Sequence, residues 1–358
     1  MSSLICIDSL IGSLLPSIPC FFYSVKIQIA FYDSPLYNKL NNTRDEEKNI
    51  MQNPILTIPQ AAGHQTALYP YYADTTSPKA SLVLFHGMAE HHSRYEEFAS
   101  FLNENGYDVF LYDHRGHGKD KPVESLGFIA PSHGDRLLIE DGKRVLSYVK
   151  EHNRSDRLIL MGHSMGSLVA RNVLTEFDGL DGAIICGTTC PPRIVSRFGM
   201  LLTGAYQKLK GADYPADFLD KVLFGGKNYT SLSKRTSFDW LTRDQAHVGA
   251  YINDPYCGFI CSASFYHDLI SLAYHAADRK AIAQIKKDLP LFFISGDKDP
   301  VGGYGKEVSA LVSTFKKLGF TNTSCTLYKE CRHELLNELN RDEIMQHIAD
   351  WLNSTLKA

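Results

Sequence analysis

The string Gly162-His163-Ser164-Met165-Gly166 constrains this chain more than any other. It follows the apolar run Arg157-Leu158-Ile159-Leu160-Met161 without a spacer and passes directly into Ser167-Leu168-Val169-Ala170-Arg171-Asn172-Val173-Leu174. A buried strand, Gly-x-Ser-x-Gly and a helix in immediate succession make a turn so tight that only small residues fit beside it. Such a turn lifts the serine hydroxyl above the sheet edge as a nucleophile. The N-terminus of the following helix favours negative charge developing there. The plain alternative is a glycine-rich loop that merely joins strand to helix, so the reading depends on partners elsewhere in the chain.

Those partners occur in the order Ser…Asp…His. Pro290-Leu291-Phe292-Phe293-Ile294-Ser295 reads as a buried strand and runs into Gly296-Asp297-Lys298-Asp299-Pro300, which offers two acids just past a strand end. Ser324-Cys325-Thr326-Leu327-Tyr328 is a further strand candidate, followed by His333 in a loop. An acid and a histidine at such positions reach the same sheet edge as the serine, where the acid orients the ring and the ring acts as base. The strand Leu82–Phe85 ends in His86-Gly87-Met88-Ala89-Glu90-His91-His92. Acyl chemistry needs two backbone N–H groups aimed at an oxyanion, one after the nucleophile and one from this loop. Those positions are Met165 and Met88. The three histidines invite a metal reading, but no carboxylate or cysteine set stands at ligand spacing, and neither metal nor cofactor is expected.

The strings His86-Gly87-Met88-Ala89-Glu90-His91…Arg94-Tyr95, Gly162-His163-Ser164-Met165-Gly166-Ser167 and Ser295-Gly296-Asp297-Lys298-Asp299-Pro300-Val301 resemble the monoacylglycerol lipase and lysophospholipase branch of the α/β-hydrolases, also called the serine aminopeptidase S33 type. The likeness extends from Pro54 to the C-terminus. It implies an α/β-hydrolase fold: an eight-stranded, mostly parallel sheet with helices on both faces and a helical cap insertion. It implies Ser164 as nucleophile, His333 as base and Asp299 as the orienting acid, because the acid of this branch follows the glycine by three positions. Lys119 stands where relatives commonly carry serine, in a loop that is structural in the family.

The spacing predicts strands at Ile55–Ile58, Ala67–Tyr72, Tyr107–Tyr112 and Ala183–Cys186. It predicts helices at Tyr95–Glu104, with Gly106 just beyond its end, and over 133–151. Strand and helix alternate as in a parallel sheet with crossovers. The alternation stops between Thr188 and Asp288, and the stretch of about 189–288 reads as the cap. It is rich in Phe, Tyr, Leu and Met, which suits an acyl chain better than a charged metabolite. Residues 1–50 look foreign to the fold. Pro16 and Pro19 break their apolar stretch, no Lys or Arg precedes Lys26, and translation from Met51 is the expected explanation. A weak membrane anchor is the alternative.

A chain of 358 residues that is 44% hydrophobic can bury one full α/β core, so residues 51–358 are expected to form one domain. A net charge of −3 leaves no footprint for nucleic acid. The eight cysteines lack zinc-type pairing and suit a reducing, cytoplasmic compartment. The expected activity is cofactor-free hydrolysis of small acyl esters of monoacyl lipids, with transient contact between the cap and a lipid surface. One rival is a proline-type serine aminopeptidase. Such enzymes resemble His-Gly-Gly-Pro-Gly in the oxyanion loop and often carry Trp after the nucleophile, whereas this chain has His86-Gly87-Met88-Ala89-Glu90 and Met165. The other rival is a non-catalytic α/β-hydrolase-like binding protein, which would be expected to lack one member of the triad.

Overall fold

Eight strands form one sheet in the order β1-β2-β4-β3-β5-β6-β7-β8. The computed structural model describes residues 55–356 except 227, 228, 230, 233 and 234; the expectation for residues 1–50 therefore lies outside the described residues. In chain order come β1 (Leu56–Pro59), β2 (Gln65–Tyr71), β3 (Ser81–Phe85), α1 (Glu96–Glu104), β4 (Asp108–Tyr112), α2 (Gly134–His152), β5 (Leu158–His163), α3 (Met165–Val173) and β6 (Gly182–Cys186). A helical stretch follows: α4 (Arg193–Lys210), α5 (Asp217–Phe224), α6 (Gln245–Asn253), α7 (Ala263–Ala276) and α8 (Arg279–Ile282). The chain then returns through β7 (Leu291–Gly296), α9 (Lys306–Lys317), β8 (Thr323–Tyr328) and α10 (Arg341–Thr355). Pairing is antiparallel from β1 through β2 to β4 and parallel from there to β8.

The central strands are buried on both faces, which is why they read as continuous apolar runs rather than alternating ones. Successive side chains nevertheless enter different cores. Val83, Phe85, Leu160, Ile185 and Phe293 join the core that takes in α2, α3 and α9. Leu82, Leu84, Ile159, Met161, Ile184 and Phe292 join the one that takes in α1 and α10. Period-two alternation thus assigns each residue to a layer, and both layers are apolar. The parallel arrangement sends the ends of β3, β5, β6, β7 and β8 to one edge, where a ligand crevice is expected.

The helical stretch docks on the sheet layer through α7, which contacts α2, α3 and α4. At that junction the Asp268 side chain faces the first turn of α2, and a side chain added at Gly134 would overlap its carboxylate. Burial, with the neighbouring Asp135 adding to it, pushes the Asp268 carboxyl up to about 7, against the backbone N–H groups of Gly134 and Asp135 that favour the charged form. A raised carboxyl binds its proton more tightly in the folded state. Stability therefore falls as pH rises from the unfolded value of 3.8 through the folded one, and the full cost is present above it. Asp268→Asn is expected to raise the Tm, with a gain on the order of 1–3 kcal/mol larger at pH 8 than at pH 5. An equal gain at both pH values would mean that the carboxyl titrates normally.

Candidate active site

The turn between β5 and α3 forces Ser164 to φ 52°, ψ −119°, a conformation that non-glycine residues rarely adopt. Its N–H holds the turn to β6 through Cys186 O at 3.0 Å. A Cβ at Gly162 would overlap the Gly166 carbonyl, and one at Gly166 would overlap the Phe85 carbonyl. Helix and strands cross at backbone contact there, and that closeness is the physical reason for the two glycines. Among the described residues no hydrogen bond within the chain uses the N–H of Met165 or of Met88.

His333 lies in the loop after β8 and is buried. Its Nδ1 is 3.0 Å from Asp299 Oδ2. Asp299, fully buried in the loop after β7, also accepts from Ser295 Oγ at 3.2 Å and from Val301 N at 2.9 Å. Asp297 turns elsewhere. Its Oδ1 takes the Glu330 N–H at 2.7 Å, and Lys298 Nζ lies 3.9 Å away. Met88, Ser164, Met165 and His333 all line one cavity of about 560 Å³. The structure thus brings together Ser164, His333 and the two methionine N–H positions at one opening, with Asp299 behind the ring. The cavity wall is mainly apolar, with Val195, Leu223, Phe224, Trp240, Leu269 and Ile270 from the helical stretch.

Beneath this opening runs a buried charge network that the sequence reading left without a role. Glu90 Oε1 accepts the Gly87 N–H at 2.5 Å and the Tyr95 hydroxyl at 2.8 Å. Arg94 pairs with Glu90 and makes a two-armed bond to Glu334, each arm 2.7 Å. His163 stands between Glu90 Oε1 (3.3 Å), Tyr95 Oη (2.9 Å) and the His333 carbonyl (3.3 Å). Burial alone would raise the Glu90 carboxyl, but the Arg94 guanidinium and the His163 ring outweigh it and hold the group well below the usual carboxylate range. Burial alone would lower the His163 imidazole, but the hydrogen bond and charge of Glu90 raise it. The network ties the Gly87–Met88 backbone to the loop that carries His333. The four-residue spacing of Glu90 and Arg94 was the available signal; Glu334, far along the chain, gave none. Trp240, whose ring lies 5.2 Å from that of His333, was likewise unassigned.

The histidines of the loop after β3 part company. His86 Nε2 accepts the His114 N–H at 2.9 Å, and His92 Nδ1 lies 2.7 Å from Asp113 Oδ2. His91 instead points to Asp254, 2.9 Å away.

The family model described as serine aminopeptidase, S33 matches residues 76–340. The chain is 31% identical to the monoglyceride lipase of Mus musculus over 301 residues, 80% of this chain and 87% of that protein. It is 25% identical over 302 residues to the monoacylglycerol lipase of Mycolicibacterium smegmatis, covering 81% and 93% of the two chains. Among solved structures, a highly thermostable carboxyl esterase from Bacillus coagulans in complex with glycerol superimposes with a TM-score of 0.77. That pair is 26% identical, with 85% of this chain and 98% of that chain covered.

Proposed function

The chain belongs to the serine aminopeptidase S33 family, in the monoglyceride lipase-like branch of the α/β-hydrolases, and on that premise we propose that it cleaves carboxylic esters of monoacyl lipids through an acyl-enzyme on Ser164. The observation that carries this reading is the shared opening of Ser164 and His333 onto an apolar cavity, with Asp299 held against the far nitrogen of the ring.

In the proposed cycle His333 takes the Ser164 proton as the hydroxyl attacks the ester carbonyl. Asp299 fixes the tautomer that leaves the other ring nitrogen as acceptor. The carbonyl oxygen becomes an oxyanion between the N–H groups of Met88 and Met165, and collapse expels the alcohol with the proton returned by His333. Water repeats the sequence and releases the acid. Glu90 keeps the Met88 N–H in place by gripping the preceding residue, so the donor is fixed before substrate arrives.

The helical stretch 193–282 supports a lipid substrate on two counts. It supplies the apolar side of the cavity, and it presents Ile194, Phe198, Leu201 and Leu209 of α4 and Phe218 and Val222 of α5 to solvent. An outward apolar face of that size beside a lipid-sized cavity fits transient docking on a lipid surface, from which a single acyl chain enters. No helix among the described residues is long and apolar enough to cross a membrane. An aminopeptidase would need an anionic anchor for the substrate amine. The three carboxylates in the cavity wall are already engaged: Glu90 and Glu334 with Arg94, and Asp220 with the Tyr266 hydroxyl at 2.8 Å.

Each methylene buried in the cavity contributes up to about 0.8 kcal/mol, or roughly fourfold in kcat/KM. With p-nitrophenyl esters kcat/KM is therefore expected to climb from acetyl to octanoyl, and monoacyl esters should outrun triacylglycerols because one cavity holds one chain. No gain at octanoyl would leave a small-ester carboxylesterase. Faster release of N-terminal proline from peptides than of any alcohol from esters would point to the peptidase.

A further inference from the structure

His91 leaves the oxyanion loop three residues after Met88 and is almost fully buried. Its Nε2 lies 2.9 Å from Asp254 Oδ2, and Cys257 Sγ completes a set of three donor atoms all within 4.8 Å of one another. The set was invisible as a motif because His91 stands 163 positions before Asp254 in the chain. The turn after α6 brings carboxylate and thiol to one side: Asp254 Oδ1 accepts the Tyr256 N–H at 2.9 Å, and its carbonyl accepts the Cys257 N–H at 3.0 Å.

We propose that His91, Asp254 and Cys257 form a binding site for a thiophilic divalent cation of the zinc class, which clamps the oxyanion loop to the turn at 254–258.

Imidazole nitrogen, carboxylate oxygen and thiolate are the donor types zinc takes, and three protein ligands leave a fourth tetrahedral position for water. In such a tetrahedron neighbouring donors stand roughly 3.2–3.7 Å apart, so the histidine and aspartate are nearly in place and the thiol needs a shift of about 1 Å. One thiolate and one carboxylate balance the two positive charges. Ser93 Oγ lies 2.8 Å from His91 Nδ1, the outer partner that orients a metal-bound ring with its other nitrogen toward the ion. Lys119 Nζ, 3.4 Å from Asp254 Oδ2, is the competing cation; its side chain is 46% exposed and can swing into water. Burial pushes the Cys257 thiol up, with Arg94 acting against that. A metal binds the thiolate, so binding releases the thiol proton and tightens with rising pH.

The clamp reinforces a link that exists already. Ala89 O accepts the Gly258 N–H at 2.9 Å and the Tyr251 hydroxyl at 3.0 Å, so residues beside Met88 already bond to residues beside Cys257. The cation takes no part in acyl transfer, and its detection does not depend on turnover.

Titration of the reduced full chain with Co²⁺ tests the site. One equivalent is expected to raise a thiolate-to-cobalt charge-transfer absorption, which Zn²⁺ then abolishes by displacement. Cys257→Ser should remove the band. Asp254→Asn, which keeps a hydrogen-bond partner for His91, should weaken Zn²⁺ binding at least about tenfold. Cys190→Ser should change neither. Absence of the band in the wild type, or its survival in Cys257→Ser, overturns the assignment. Wild-type affinity in a folded Asp254→Asn does the same.

Discussion

Ser164→Ala is expected to abolish ester hydrolysis and fluorophosphonate labelling while leaving the melting temperature essentially unchanged. Loss of a nucleophile that works as a unit with its base lowers kcat by ~10⁴-fold or more. The fold should not notice, because the turn is tied to β6 by the Ser164 backbone N–H rather than by the hydroxyl. Alanine inherits the same φ of 52° and the same strain, so no new backbone cost arises. A folded Ser164→Ala protein that keeps more than about a tenth of wild-type kcat would take Ser164 out of the mechanism.

The turn between β5 and α3 was legible because its constraint is local. Two glycines, a strand and a helix within a few turns of chain leave little choice of geometry, and the overlaps that side chains at Gly162 and Gly166 would create are the physical content of the motif. The central strands were legible for a related reason. β3, β5, β6 and β7 are buried on both faces, so each reads as an unbroken apolar run, and the observed ends fall within a residue or two of those expected. β8 was harder. It is an edge strand with a half-exposed Thr-Ser-Cys-Thr pattern, and its main support was the histidine beyond it.

What the sequence withheld is what depends on long-range packing. Glu334 reads as one more charge in a polar loop, yet in the fold it is 4% exposed and grips Arg94 from 240 positions away. His91, Asp254 and Cys257 meet only because the turn after α6 folds back on the loop after β3. Within the helical stretch, hydrophobic spacing gave helix but not direction. The apolar residues of α4 divide between the cavity side, with Val195, and the outer face, with Phe198 and Leu201, and no periodicity distinguishes the two. Local rules find elements, and tertiary contacts decide which face of an element works.

Asp299→Asn is expected to lower kcat/KM by ~10⁴-fold, and Asp297→Asn by no more than about two- to threefold. The two positions differ by environment rather than residue type. Asp299 is fully buried, and its Oδ2 faces His333 Nδ1 at 3.0 Å while Oδ1 takes the Val301 N–H at 2.9 Å. An asparagine there has one acceptor oxygen where the carboxylate had two to serve the ring, the Val301 N–H and the Ser295 hydroxyl. If the oxygen stays on Val301, the amide NH₂ faces the ring and forces Nδ1 to become the acceptor. The proton then moves to Nε2, and the nitrogen meant to receive the serine proton is already occupied. Asp297 meets a different test. Its Oδ1 accepts one backbone N–H, from Glu330 at 2.7 Å, a bond that an amide oxygen makes equally well, and its side chain is 32% exposed. Its ion pair with Lys298 is long and solvated, so its loss changes little. Comparable losses at the two positions would mean that the loop as a whole supports the base. A larger loss at Asp297 would move the orienting acid by two residues and with it the tautomer argument for His333.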